Sequence, residues 1–224
     1  MKKIVSYGLT CLVIPAIVIG GAMLFGSKMY AWISLCVALF SCVPFFLRFE
    51  RGGSGTGTLL IIAAMTALSV VGRILFTPIP GFKPVTAMVV ITAMYFGSEA
   101  GFLTGALTAL ISNFYFGQGP WTPFQMFSWG IIGFIAGLVS SRLKRSKLFL
   151  AAYGIFSGIL FSLLMDIWTV LWADGRFNLS RYIAAAGSAL PFTATYAVSN
   201  VIFLLLFSKP IGKILGRIRT KYGI

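Results

Sequence analysis

The side chains able to do chemistry are few in this chain, and their types narrow the possibilities quickly. Acidic residues are limited to Glu50, Glu99, Asp166 and Asp174, and histidine is absent. Zinc and di-iron sites need clusters of His, Cys or carboxylates, and a magnesium-diphosphate site needs several carboxylates at close spacing. Four scattered acids assemble neither locally. A GxxxxGKS/T phosphate loop is also missing, so any nucleotide-driven step is expected to lie in a partner. The expectation is a protein that is not an enzyme and holds no resident cofactor or metal. Cys11, Cys36 and Cys42 sit inside apolar runs and read as small hydrophobes.

The polar residues that remain gather near one set of helix ends. Trp121, Gln125 and Trp129 recur at i, i+4 and i+8, which puts them on one helical face. Asn113 and Arg73 each fall about a turn inside an apolar run, and Asp166 under two turns inside another. Ionisable groups at such depth are expensive, so each is a functional candidate, with a plain Arg73–Asp166 ion pair as the alternative. Tyr196 and Asn200 add possible hydrogen-bonding groups. Two connections frame this set: TPIPGFKP, residues 77–84, with Lys83, and FGQGPWTP, residues 116–123, with Gln118. Pro and Gly at this density make stiff loops suited to covering a site, although a plain turn with an interfacial Trp anchor explains either one alone. The result is an outward-opening cavity with aromatic walls and amide groups, fit for an organic solute recognised through ring surfaces and hydrogen bonds.

Positioning these groups falls to membrane helices. The chain is 58% hydrophobic and only 10% charged, with mean hydropathy +0.96, more apolar surface than a soluble fold of 224 residues covers. Continuous runs rich in Leu, Ile, Ala and Phe exclude the short alternating strands of a barrel, so the fold class is an all-α integral membrane protein. Eight candidate spans follow: 4–25, 29–47, 58–76, 84–97, 100–116, 123–140, 148–172 and 185–208. The fourth is short, since 14 residues reach only about 21 Å as a helix.

Charge supports all eight. With a cytoplasmic N-terminus, the inner side holds 13 basic residues and the outer side four, Lys28, Lys83, Arg176 and Arg181, with Arg73 inside a span. Merging the fourth and fifth runs leaves at best 11 against 6, so the positive-inside bias favours eight spans with both termini cytoplasmic. The net charge of +14 is then charge facing anionic lipid headgroups, and nucleic acid is not an expected partner.

The organisation expected is two N-terminal helices (1–51), a Gly-rich linker (52–57, GGSGTG), a six-helix core (58–208) and a basic cytoplasmic tail (209–224). Small residues recur every fourth position at Gly97, Gly101, Gly105 and Ala109, at Gly133 and Gly137, at Gly154 and Gly158, and at Ala63 and Ala67. Such stripes let helix backbones approach in lipid, either within the fold or against another protein.

The run YFGSEAGFLTGALTALISNFYFG, residues 95–117, resembles the Gly-repeat pattern of the substrate-binding S components of energy-coupling factor (ECF) transporters. GPWTPFQMFSWGIIGFIAGL, residues 119–138, resembles the next helix of that family, closest in wording to its cobalamin (vitamin B12) type. The resemblance covers the six-helix core. It implies a subunit of the bacterial cell membrane that captures a vitamin at the outer face and topples within a complex. Its partners would be a transmembrane T component and two cytosolic ATPases. An AxxxA motif docks the T component in that family, and Ala63 and Ala67 stand at the matching positions; the two extra N-terminal helices depart from its pattern. Two rival readings are an enzyme acting on lipid or isoprenoid substrates, with Asp166 or Arg73 catalytic, and a self-sufficient channel.

Overall fold

A computed structural model describes residues 2–25, 29–49 and 55–223. Among the described residues the chain is a bundle of helices. The first rod joins α1 (Lys2–Gly8), a π-helical turn at Leu9–Val13 and α2 (Ile14–Phe25). It is followed by α3 (Tyr30–Phe49), α4 (Gly55–Leu75), α5 (Val85–Phe96), α6 (Ser98–Phe116) and α7 (Thr122–Leu138). The short α8 (Ser140–Arg145) leads into α9 (Lys147–Asp174), α10 (Leu179–Ser188) and α11 (Leu190–Tyr222). Seven of the eight apolar runs each fall on one helical rod, and the eighth, 185–208, runs from the end of α10 into α11.

Four helical stretches, Val5–Phe25, Thr56–Leu75, Lys147–Asp174 and Leu190–Tyr222, are long and apolar enough to cross a membrane by length and composition. The shorter Val85–Phe96 is the centre of the bundle, with every residue of α5 except Tyr95 buried. A helix so enclosed by protein meets its neighbours instead of lipid, so its length need not match the hydrocarbon thickness. It turns into α6 with no loop at all. Gly97 takes φ 95° and ψ 178°, a conformation closed to other residues at low cost, and sets Gly101 against Ala93.

Packing along α6 and α7 is backbone to backbone. A Cβ placed on Gly101 would meet the Gly133 carbonyl at 2.7 Å, and one on Gly105 would meet the carbonyl of Trp129 at 2.5 Å. The α9–α11 seam is similar, with Gly158 against Ala197 and Gly154 against Val201. These stripes are therefore internal, and their close approach gains dispersion contacts that lipid cannot supply.

Several expected boundaries move. Gly55–Gly57 open α4 and do not extend the linker, whose residues 52–54, like Lys28, lie outside the described residues. The last rod starts at Leu190, not 185, because Pro191 suits a helix start and the preceding segment is the separate α10, capped by Asn178. That amphipathic helix has no buried residue and is tied to the end of α9 by an Arg181–Asp174 ion pair at 2.7 Å. The basic stretch 209–222 is a continuation of α11, passing Pro210 and held where Gly212 lies under the Tyr95 ring. The N-terminal rods pack into the same hydrophobic core as the rest: Ile14 and Val37 are fully buried, and Tyr7 meets Phe134 edge-on at 5.2 Å.

Candidate functional site

The end of the bundle where α4 stops and α5 begins is also where α6 passes into α7 and α9 into α10. Both Pro/Gly-rich connections lie here. Residues 77–84 are pinned across α11: the Lys83 N–H donates to Ser199 Oγ at 2.9 Å, and that hydroxyl donates back to the Lys83 carbonyl at 3.2 Å. Gly81, at φ 75°, passes 3.2 Å from Thr195 at its missing Cβ, a close approach that needs glycine. Phe76 and Phe82 clasp Phe203, with ring centroids 5.0 and 4.9 Å away.

Beneath these loops a polar network crosses three helices. Arg73 Nη1 donates to Ser112 Oγ and, at 2.8 Å, to Asn113 Oδ1. Asn113 Nδ2 donates in turn to Thr122 Oγ1 and Gln125 Oε1, both at 2.9 Å. The Thr122 hydroxyl donates to Gln118 Oε1 at 3.0 Å, and Gln118 Nε2 caps the Leu110 carbonyl at 2.9 Å. A network in which Asn113 and Gln118 both give and receive, and Gln125 receives, holds its members in fixed orientations.

Aromatic rings wall the network. The Arg73 guanidinium lies 4.5 Å from the Phe116 centroid and 5.0 Å from that of Trp129, and Lys83 Nζ lies 5.2 Å from Phe116. Cation–π contacts of this kind are worth about 2 kcal/mol when desolvated. Trp129 stacks on Phe161 at 5.0 Å, and Tyr196 meets Phe161 edge-on at 5.3 Å. Lys83, in the loop, has its ammonium pKa lowered by burial and then by the Arg73 charge.

The structure thus brings together Arg73, Lys83, Asn113, Gln118, Gln125, Trp129 and Tyr196. Three expected residues, Trp121, Asp166 and Asn200, stand apart. Trp121 precedes α7 and packs edge-on against Trp168 at 5.9 Å. A cavity of about 240 Å³ lies beside Trp168, lined by Val18, Ala22, Tyr30, Ile33, Pro120 and Trp172 among others, so the N-terminal rods form one of its walls. Asp166 is 8% exposed and makes no ion pair with Arg73, which is engaged by Ser112 and Asn113 instead; its Oδ2 is buried without a hydrogen-bond partner. Asn200 is spent on the α9 backbone, donating to the Gly154 carbonyl at 3.3 Å. Sequence reasoning passed over Ser112, Phe116, Thr122 and Phe161. Ser112 and Thr122 flank chosen residues and carry a usable signal, whereas Phe161 is one phenylalanine among 21.

Ala63 and Ala67 lie on the opposite aspect of α4, exposed, in line with Leu60, Leu68, Val71 and Leu75. No helix of the described chain covers that strip.

Residues 54–217 match the family model described as ECF-type riboflavin transporter, S component. The match spans the six rods from α4 into α11 and leaves the first two outside it. No curated protein and no solved structure shows a significant match.

Proposed function

Since the chain belongs to the family of ECF-type riboflavin transporter S components, we propose that it captures a flavin at the end of the bundle closed by the 77–84 and 116–123 loops. Membership makes it a substrate-specific membrane subunit of a vitamin transporter, a binding component and not an enzyme. The observation that carries the ligand reading is the Arg73–Asn113–Gln125 network beside the Trp129 face, because a planar heterocycle with carbonyl and N–H edges needs amide partners and a ring wall. Lys83, Gln118 and Tyr196 complete the pocket, with Trp121 and Asp166 at its margins. The family description favours riboflavin over the cobalamin suggested by the wording of residues 119–138.

The 13-to-4 basic asymmetry supports a reading with both termini in the cytoplasm and the pocket at the outer face. Ala63 and Ala67 dock a T component, two cytosolic ATPases supply the energy, and the loaded subunit topples to release its ligand inward. Small residues suit this contact, since shape and dispersion allow close association without a buried ion pair. Purifying the chain from cells and identifying any bound small molecule by absorption and mass tests the ligand. A flavin spectrum supports the proposal, and a corrin spectrum replaces the flavin with a cobalamin.

A further inference from the structure

The cavity beside Trp168 lies apart from the polar network. Val18, Ala22, Tyr30 and Ile33 of its lining come from the two N-terminal rods, which stand outside the family match at residues 54–217. Pro120 and Pro123 come from the 116–123 connection, and Trp168 and Trp172 from α9. No charged side chain lines it, and its volume is about 240 Å³. Space for about eight waters, at roughly 30 Å³ each, is a large void for a packed bundle, yet walls so apolar hold water weakly. Left dry, it forfeits the dispersion contacts of every group around it, so an apolar occupant is favoured.

Position decides which occupant. Trp172 lines the cavity and is 63% exposed, so the space reaches the outside of the bundle there. Neighbouring residues along the rods are apolar and exposed as well: Leu24 and Phe25 follow Ala22 in α2, and Trp32 precedes Ile33 in α3. On a membrane helix such a surface meets lipid tails. Trp and Tyr side chains favour the headgroup level of a bilayer, and the cavity has both in Trp172 and Tyr30. Arg176, exposed and without an ion pair among the described residues, directly follows Gly175 of the lining. An uncharged slot that ends at aromatic rings and a cation matches an acyl chain that ends in a phosphodiester.

We propose that the cavity holds one acyl chain of a membrane phospholipid, with the headgroup phosphate at Arg176, and that this lipid joins the N-terminal rods to the 116–123 connection. The two rods thereby complete a lipid site that residues 54–217 alone leave open. The flavin reading above is independent of it.

The experiment adds dioleoylphosphatidylglycerol to the detergent-purified full-length chain and measures retained lipid by native mass spectrometry. A single phospholipid per chain is expected to survive removal of the detergent. Ala22→Phe fills the cavity and is expected to lower retention about tenfold, since forcing extra volume into a filled site is at least that unfavourable. Trp172→Ala, which removes a wall at an exposed position, is expected to lower it too. Leu24→Phe alters a residue 79% exposed and absent from the lining, and is expected to leave retention unchanged, which separates a site from lipid coating the whole belt. Dioleoylglycerol, without the phosphate, is expected to be retained less than the phospholipid. No retained phospholipid, retention unmoved by Ala22→Phe or Trp172→Ala, equal loss with Leu24→Phe, or equal retention of dioleoylglycerol would overturn the proposal. Riboflavin displacing the lipid one for one would overturn it as well and give the cavity to the flavin.

Discussion

Two stripes of small residues on adjoining helices meet opposite fates. On α6, Gly101 and Gly105 press directly on the backbone of α7, where Gly133 and Trp129 receive them. On α4, Ala63 and Ala67 have the same four-residue spacing but face outward, in a strip with Leu60, Val71 and Leu75. One stripe builds the site, because the α6–α7 contact sets Asn113 against Thr122 and Gln125. The other leaves the same helix that carries Arg73 open on its far side. Spacing alone therefore states that a helix can be approached closely; burial decides whether the fold itself has done so.

Breaking the internal stripe should have the largest effect. Gly101→Leu drives a side chain into the Gly133 carbonyl, a backbone group that cannot move aside, and is expected to cost about 3 kcal/mol or more. Thermal unfolding followed by size-exclusion fluorescence should show loss of monodisperse protein. Filling the external stripe with Ala63→Trp and Ala67→Trp should leave both the melting curve and ligand affinity unchanged while abolishing uptake by the full complex in vesicles. Retained uptake would remove the docking role from that face.

Smaller effects refine the contrast. Gln125→Ala leaves an amide proton of Asn113 without its acceptor and should weaken ligand binding by about 2 kcal/mol, roughly thirtyfold, in titration calorimetry. Trp121→Ala should weaken it less, since that ring meets Trp168 and stands off the network. At the α9–α11 seam a Cβ on Gly154 would sit 3.0 Å from the Val201 nitrogen, tight but short of the α6–α7 overlap. Gly154→Ala is therefore expected to cost only about 1 kcal/mol, read as a small drop in melting temperature.

Much of this was readable from the residues. Hydrophobic runs placed all eight rods because a bilayer demands length and apolarity together, and depth in those runs singled out Arg73 and Asn113, which the fold joins. What escaped has physical causes. The Arg73–Asp166 pairing failed because opposite charge says nothing of which rods adjoin, and Ser112 and Asn113 reach the guanidinium first. Trp121 keeps its helical spacing to Gln125, whose N–H donates to the Trp121 carbonyl at 2.9 Å, but its ring packs on Trp168 and not on the network, which spacing does not reveal. The α10 helix was missed since its charge and apolarity alternate around an exposed cylinder, a pattern shorter and weaker than a span. The continuation of α11 through Pro210 hid behind a charge run that reads equally well as a tail.

The central claim is that this chain captures its ligand alone and needs partners to move it. Reconstituting the purified protein without partners in liposomes, with labelled riboflavin outside, tests this most directly. Saturable binding to the vesicles with no accumulation inside is the predicted result. Labelled flavin accumulating in the lumen with time, or no binding at any concentration tried, would contradict it.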